Sequence, residues 1–182
     1  MMYDVIIVGG SYAGLSAGLQ LARARRQVLV IDAGQRRNRF AATSHGFLGQ
    51  DGQAPEVIAA EGRSQLMEYP TVTWVQGSAV LVNQPVEGFS VRTEHSGTFH
   101  ARRLILATGV VDELPAVEGL KERWGTRVFH CPYCHGYELN EGRIGVLGVV
   151  PMSLHHALPC GNRLNAAVSG WRACWTKRCV KR

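Results

Sequence analysis

The chain lacks any apolar run long enough to cross a bilayer, and its N-terminus has no charged-then-apolar leader, since Tyr3-Asp4 passes straight into a short β-branched segment. A membrane or exported protein is not what this sequence describes, and a cytoplasmic, reducing setting is expected. Internal repeats and low-complexity segments are absent as well, which excludes solenoids and fibres. Cysteines are too sparsely paired for a zinc module: of five, only Cys131 and Cys134 stand close, while Cys160, Cys174 and Cys179 form no second pair. His130 and His135 could join a metal only beside their own neighbouring cysteines, an awkward geometry. Acid is missing from one region alone. Pro159 to Arg182 holds six basic residues and no carboxylate, together with three of the five cysteines and two of the four tryptophans, whereas the first 158 residues balance 14 basic against 14 acidic.

What is present suits one soluble domain with a real core, 46% of the 182 residues being hydrophobic. The run Phe129-His-Cys-Pro-Tyr-Cys-His-Gly-Tyr-Glu138 sets two cysteines at redox-pair spacing between two histidines. A C-x-x-C pair can close a short disulfide, and its attacking thiol becomes reactive when positive charge or a helix N-terminus lowers its pKa. Thiol-disulfide exchange by Cys131 and Cys134 is therefore expected.

A second constellation opens the chain. Asp4 to Val8 reads as a buried strand, Gly9-Gly-Ser-Tyr-Ala-Gly14 as a glycine turn, and Leu15, Gly18, Leu19 and Ala22 recur at helical spacing behind it. Gly9 permits the tight turn and Gly14 close helix-strand packing, so the helix N-terminus can face a pyrophosphate with free N–H groups. Ser11 replaces the middle glycine of the usual pattern, but it is small and its N–H still donates. Gln27 to Asp32 is a second buried strand that ends in an acid 18 residues past Gly14, suited to accept from a ribose hydroxyl. An ordinary βαβ unit with a glycine turn is the bland alternative.

With the glycine turn, Asp32, Ala107-Thr-Gly109 and the cysteine pair in this order, residues 1 to 158 resemble the two-domain thioredoxin reductase family of flavoproteins. The resemblance implies FAD in the first cradle, with Gly9, Gly10, Ser11, Ala13 and Gly14 at its pyrophosphate and Asp32 at its adenosine ribose. Val80, after Gly77-Ser-Ala79, matches the segment that meets adenine through main chain, and Thr108 and Gly109 match the turn at the flavin domain's edge. It also implies that Cys131 and Cys134 exchange electrons with the flavin, Cys134 being the nearer one. The implied partners are a small dithiol or disulfide or a thioredoxin-like protein, with no nucleic acid and no membrane, and relatives suggest a homodimer.

Two departures narrow the comparison. The second cysteine is followed by His135 where thioredoxin reductases usually carry an acid, and Cys131, Cys134 and His135 look closer to dithiol oxidases such as gliotoxin oxidase, as does Arg37 to Gly52. A histidine titrates near neutral pH and could move a proton to or from a thiol. The alternative is a solvent-facing loop histidine. The NAD(P)H cradle expected at Arg143 to Ser153 keeps Gly148 but has Val150 where a glycine would let a pyrophosphate approach. NAD(P)H and oxygen thus stay open as the second electron partner.

The expected fold is α/β: a Rossmann-like, FAD-binding three-layer ββα sandwich with a β-meander, and the start of a second nucleotide-binding domain. Pro55 to Tyr69 is expected to be helical, Val72–Val75, Ala79–Val82, Phe89–Thr93 and Thr98–Arg102 to form the meander, and Leu104–Ala107 to be a further strand. The expected divisions are 1–113 for the FAD domain, 114–158 for the cysteine segment and second cradle, and 159–182 for the aberrant tail. Relatives of this kind have about 300 residues. The tail reads as out-of-frame sequence ending a truncated gene, or else as a genuine basic tail for nucleic acid or anionic membrane. The expected function is a FAD-dependent thiol-disulfide oxidoreductase; a dithiol oxidase using oxygen, or an inactive remnant, are the alternatives.

Overall fold

Four consecutive β-branched residues, Val5 to Val8, cannot hide on one side of a strand; a strand that carries them is stable only when both its faces are covered. The computed structural model, which describes residues 1–138 and 145–148, places them in the interior of a six-stranded sheet. The elements run β1 (Met2–Val8), α1 (Tyr12–Arg23), β2 (Val28–Asp32), α2 (Pro55–Met67), β3 (Val72–Gln76), β4 (Ala79–Asn83), β5 (Phe89–Thr93) and β6 (Thr98–Leu106). Two short turns of helix follow, α3 (Leu120–Arg123) and α4 (Pro132–His135). The chain divides into two compact units, the first Met1–Glu113 and the second beginning at Leu114.

The first unit holds the whole sheet, in the order β3-β2-β1-β6-β5-β4. β3, β2, β1 and β6 are mutually parallel, and β4 and β5 continue antiparallel from β6. Alternate side chains sort into two cores. Val5, Ile7, Val28 and Val30 face α1 and α2, packing on Leu15, Ala22 and Leu66. Ile6, Leu29 and Ile31 face the other way, onto Val91 and Ala101. Val91 belongs to β5, which two strands separate from β2, so the meander curls beneath the parallel strands and supplies the third layer. This is the expected Rossmann-like, FAD-binding arrangement.

Two strand assignments need correction. Val72–Gln76 is the third parallel strand, registered on β2 from Val28↔Val72 to Asp32↔Gln76, and the meander contains only β4, β5 and β6. Its short length and the turn at Gly77 resemble those of the meander strands, and only pairing separates them. Thr98–Arg102 and the expected strand from Leu104 form one nine-residue strand, Thr98–Leu106, which ends before Ala107. The polar pair Arg102-Arg103 reads as a break but sits exposed on a strand that β1 pairs from His100 to Leu106, while β5 pairs only its beginning, Thr98 to Ala101.

α1 reaches the sheet closely because its buried face is Gly14, Leu15, Gly18 and Ala22. A Cβ on Gly18 would stand 3.0 Å from Leu66 Cδ2, so glycine there lets α1 and α2 pack together. In the second unit, Gly119 takes the left-handed conformation (φ 74°) before α3, and Arg123 Nη1 donates to its carbonyl at 2.7 Å. Val150, most of the expected second cradle and the 159–182 tail lie outside the described residues. Among those described, no helix is long and apolar enough to cross a membrane.

Leu66 has no solvent exposure and fills the space that Gly18 leaves. Leu66→Ala is expected to cost about 2–5 kcal/mol of unfolding free energy, with the loss visible as a lower urea midpoint at unchanged slope. A midpoint within experimental error of the wild type would show that α2 does not anchor this core.

Candidate functional site

The C-terminal ends of β1, β2 and β6 meet where the glycine turn follows β1. Gly9 has φ 105°, a conformation costly for other residues, and a Cβ there would collide with the carbonyl oxygen of Ala107. A Cβ on Gly14 would collide with the Gly9 carbonyl oxygen. Both glycines are thus required by backbone approaching backbone. Ser11 is the N-cap of α1, yet its side chain makes no capping bond and the first turn carries no acid. The N–H groups of that turn therefore point at the crevice without an internal anion, the arrangement that receives a phosphate. Ala13 is exposed on the same turn.

Asp32, at the end of β2, accepts a hydrogen bond from Gly10 N–H through Oδ1 at 3.0 Å. Its Oδ2 has no partner among the described residues and remains able to accept from a sugar hydroxyl. Thr108 and Gly109 follow β6 at the same end of the sheet and are exposed, beside the Ala107 carbonyl that touches Gly9. Val80 lies farther off along the chain, on edge strand β4. Ala79 pairs with Thr93 and Leu81 with Arg92, so Val80 is the extra residue of a bulge and has no partner across the ladder. Its main chain is correspondingly available, as a main-chain contact requires. These residues fit a dinucleotide cofactor: bare glycines for the pyrophosphate, an open helix N-terminus, and the Asp32 carboxylate beside the turn.

The sequence reading missed several neighbours. Trp74 of β3 lies behind Gly10, where a Cβ would come within 2.7 Å of its Cζ2, and the Arg63 guanidinium carbon stands 4.3 Å from the indole centroid. Arg37 grips Asp112 with both ends of its guanidinium, Nε to Oδ2 at 2.8 Å and Nη2 to Oδ1. Tyr12 accepts from Asn38 Nδ2 at 3.0 Å and donates to the Pro55 carbonyl at 3.1 Å. No local pattern marks these pairs, since their members are 75, 26 and 43 residues apart.

In the second unit the sulfurs of Cys131 and Cys134 are 2.7 Å apart, both cysteines being half-buried and not joined in a disulfide. Closing to the covalent distance of about 2.05 Å needs little motion. His135 is no solvent-facing loop residue: its ring stacks on Phe129 with centroids 4.2 Å apart and planes 9° apart, and both ring nitrogens are buried. His130 is exposed and tilts toward Trp124 at 6.4 Å. Gly148 is half-buried in an irregular segment, and its partner position, Val150, is not described. Among the described residues no three His, Cys, Asp or Glu side chains gather as a metal site.

The fold and this crevice define an α/β protein built around a nucleotide cofactor. Residues 3–157 match the family model of pyridine nucleotide-disulphide oxidoreductases, and the chain belongs to that family. Among curated proteins it is similar to the thioredoxin reductase tcpT of Claviceps purpurea, 38% identical over 162 residues that cover 85% of this chain and 50% of the relative. The thioredoxin reductase sirT of Leptosphaeria maculans is 34% identical over 140 residues, 75% of this chain and 43% of the relative. Among solved structures, an oxidoreductase from Agrobacterium tumefaciens superposes with a TM-score of 0.86 at 57% identity, covering 91% of this chain and 56% of that one. HlmI does so at 0.84 and 40%, covering 90% and 52%. The chain spans about half the length of the curated relatives it matches.

Mild oxidation is expected to join Cys131 to Cys134 in a reversible disulfide, read by alkylation and mass mapping as paired protection of both. If both stay alkylatable while Cys160, Cys174 and Cys179 are protected, the redox pair has been assigned to the wrong residues.

Proposed function

We propose that this chain is the FAD-binding and cysteine-bearing part of a thioredoxin-reductase-like thiol-disulfide oxidoreductase. The observation that carries the reading is the 2.7 Å separation of the Cys131 and Cys134 sulfurs, in a chain whose first unit ends its parallel strands in a glycine cradle. In this reading 1–113 binds FAD, 114–158 carries the cysteines and opens the NAD(P)H cradle with Gly148, and 159–182 is an aberrant tail. Gly9, Gly10, Ser11, Ala13 and Gly14 would hold the FAD pyrophosphate, Asp32 the adenosine ribose and the Val80 main chain the adenine, with Thr108 and Gly109 at the cradle's edge. Bound FAD supplies a two-electron couple for regenerating the dithiol.

The chain's own residues do the sulfur chemistry. A thiolate of the pair attacks a substrate disulfide, forming a mixed disulfide and releasing one substrate thiolate. The second cysteine then attacks the mixed bond, closes Cys131–Cys134 and releases the second substrate thiol. Two protons end on the two product thiols, and in this reading His135, which follows Cys134 in the chain and stacks on Phe129, passes one of them. Disulfides of thioredoxin-like proteins are the proposed substrates, after the names that curated relatives carry.

The reverse direction is a second reading, favoured by His135 standing with buried nitrogens in place of an acid. A substrate dithiol would then be oxidised to its disulfide while oxygen is reduced to hydrogen peroxide. Stoichiometric peroxide from a dithiol, without NADPH, marks the oxidase; NADPH oxidation coupled to disulfide reduction marks the reductase.

Flavin retention tests the common core of both. The purified chain is expected to take up FAD and turn yellow, and Gly14→Val to lose at least about nine-tenths of it, because its side chain would strike the Gly9 carbonyl. Val150→Gly leaves it unchanged. Equal flavin content in wild type and Gly14→Val would remove FAD from this loop.

A further inference from the structure

Gly9 and Gly14 are held to glycine by main-chain carbonyls, whereas Gly10 is held to glycine by side chains. A Cβ there would stand 2.7 Å from Trp74 Cζ2 and 2.8 Å from Asp32 Cβ, so the indole, the aspartate and the turn meet at one point. Strand register brings them together. Val30 pairs with Trp74 and Asp32 with Gln76, which puts Trp74 on the same face of the sheet as Asp32, one diagonal step away. That face is the one α1 and α2 cover, and Trp74 packs against the core that contains Val30 and Val72.

The ring is confined by its neighbours. Gly10 meets its Cζ2 edge, and the Arg63 guanidinium carbon of α2 lies over it, 4.3 Å from the centroid. Among the described residues no hydrogen bond fixes the indole: its N–H is buried without a partner, so packing sets the ring's position. Asp32 makes one hydrogen bond among the described residues, accepting from Gly10 N–H through Oδ1 at 3.0 Å. A carboxylate tethered by a single bond turns toward water unless packing blocks it, because the last torsion of an aspartate is soft. Trp74 fills the space beside it.

We infer that Trp74 is a positioning residue for a nucleotide ribose: it keeps the Asp32 carboxylate on Gly10 N–H, with Oδ2 left to accept from the sugar hydroxyls. This rests on the proposed FAD cradle and assigns the residue that sets the cradle's preference for a hydroxyl-bearing sugar. A hydroxyl donating to a carboxylate already held in place raises affinity about tenfold or more, whereas one that must first order a mobile carboxylate gains less, since the ordering opposes the bond. The indole N–H takes no part, so a flat apolar ring is all that the position requires.

The test titrates the flavin-free 182-residue chain by calorimetry with ADP, which carries the adenosine and pyrophosphate of FAD, and with the dideoxy analogue of ADP that lacks both ribose hydroxyls. Wild type is expected to prefer ADP by at least about tenfold. W74A should reduce that preference below about threefold, and W74F should keep it within about twofold of wild type. D32A should abolish it, and W74A should change nothing further in the D32A background. Partial unfolding of W74A would weaken both nucleotides alike, so the ratio separates positioning from stability. W74A with the wild-type preference, or W74F no better than W74A, overturns the role of the ring and leaves the cradle standing. Equal affinity of the wild type for the two nucleotides removes Asp32 from the ribose and this inference with it, while FAD uptake lost in Gly14→Val would still uphold the glycine turn. A wild-type chain that binds neither ADP nor FAD removes both.

Discussion

Everything in the first unit depends on how closely three backbone segments approach at the end of β1. The Gly9 carbonyl occupies the place where Gly14 would carry a side chain, and the Ala107 carbonyl occupies the place where Gly9 would carry one. Because none of the three gives way, α1 is seated against the sheet with its N-terminus directed at the crevice, and the segment after β6 is held beside the glycine turn. Asp32 then locks the turn through Gly10 N–H. A phosphate site assembled from main chain in this way costs little reorganisation on binding, since the donors are fixed before the ligand arrives.

β6 links this crevice to the rest of the sheet. Its first half belongs to the meander and its second half to the parallel layer, so one strand both carries Ala107 to the glycine turn and turns Val91 and Ala101 under Ile6, Leu29 and Ile31. That double role explains why β2 is buried on both faces although helices cover only one. The same topology leaves β1 between β2 and β6, and the segments that follow β2 and β6 meet through Arg37 and Asp112.

The cysteine segment follows a more local logic. Four residues of helix bring Cys131 and Cys134 together, and the Phe129–His135 stack spans the same turn. Both imidazole nitrogens of His135 are buried there. Family membership and the fold agree with the glycine cradle, and the chain spans about half the length of the curated relatives it matches.

The sequence by itself determined what is written between near neighbours: the strand, glycine turn and helix from Asp4 to Ala22, the acid closing β2, and the cysteine spacing. Each is a short-range steric or covalent rule that contiguous residues obey regardless of the remaining chain. Even His135 was legible as a residue, though not its stack on Phe129. Tertiary structure decided that Val72–Gln76 joins the parallel layer, that β6 is continuous through Arg102 and Arg103, that Trp74 backs Gly10, and that Arg37 meets Asp112. Those facts depend on partners 44 to 98 residues away, and a short apolar run or a lone arginine has the same local chemistry whichever partner the folded sheet presents to it.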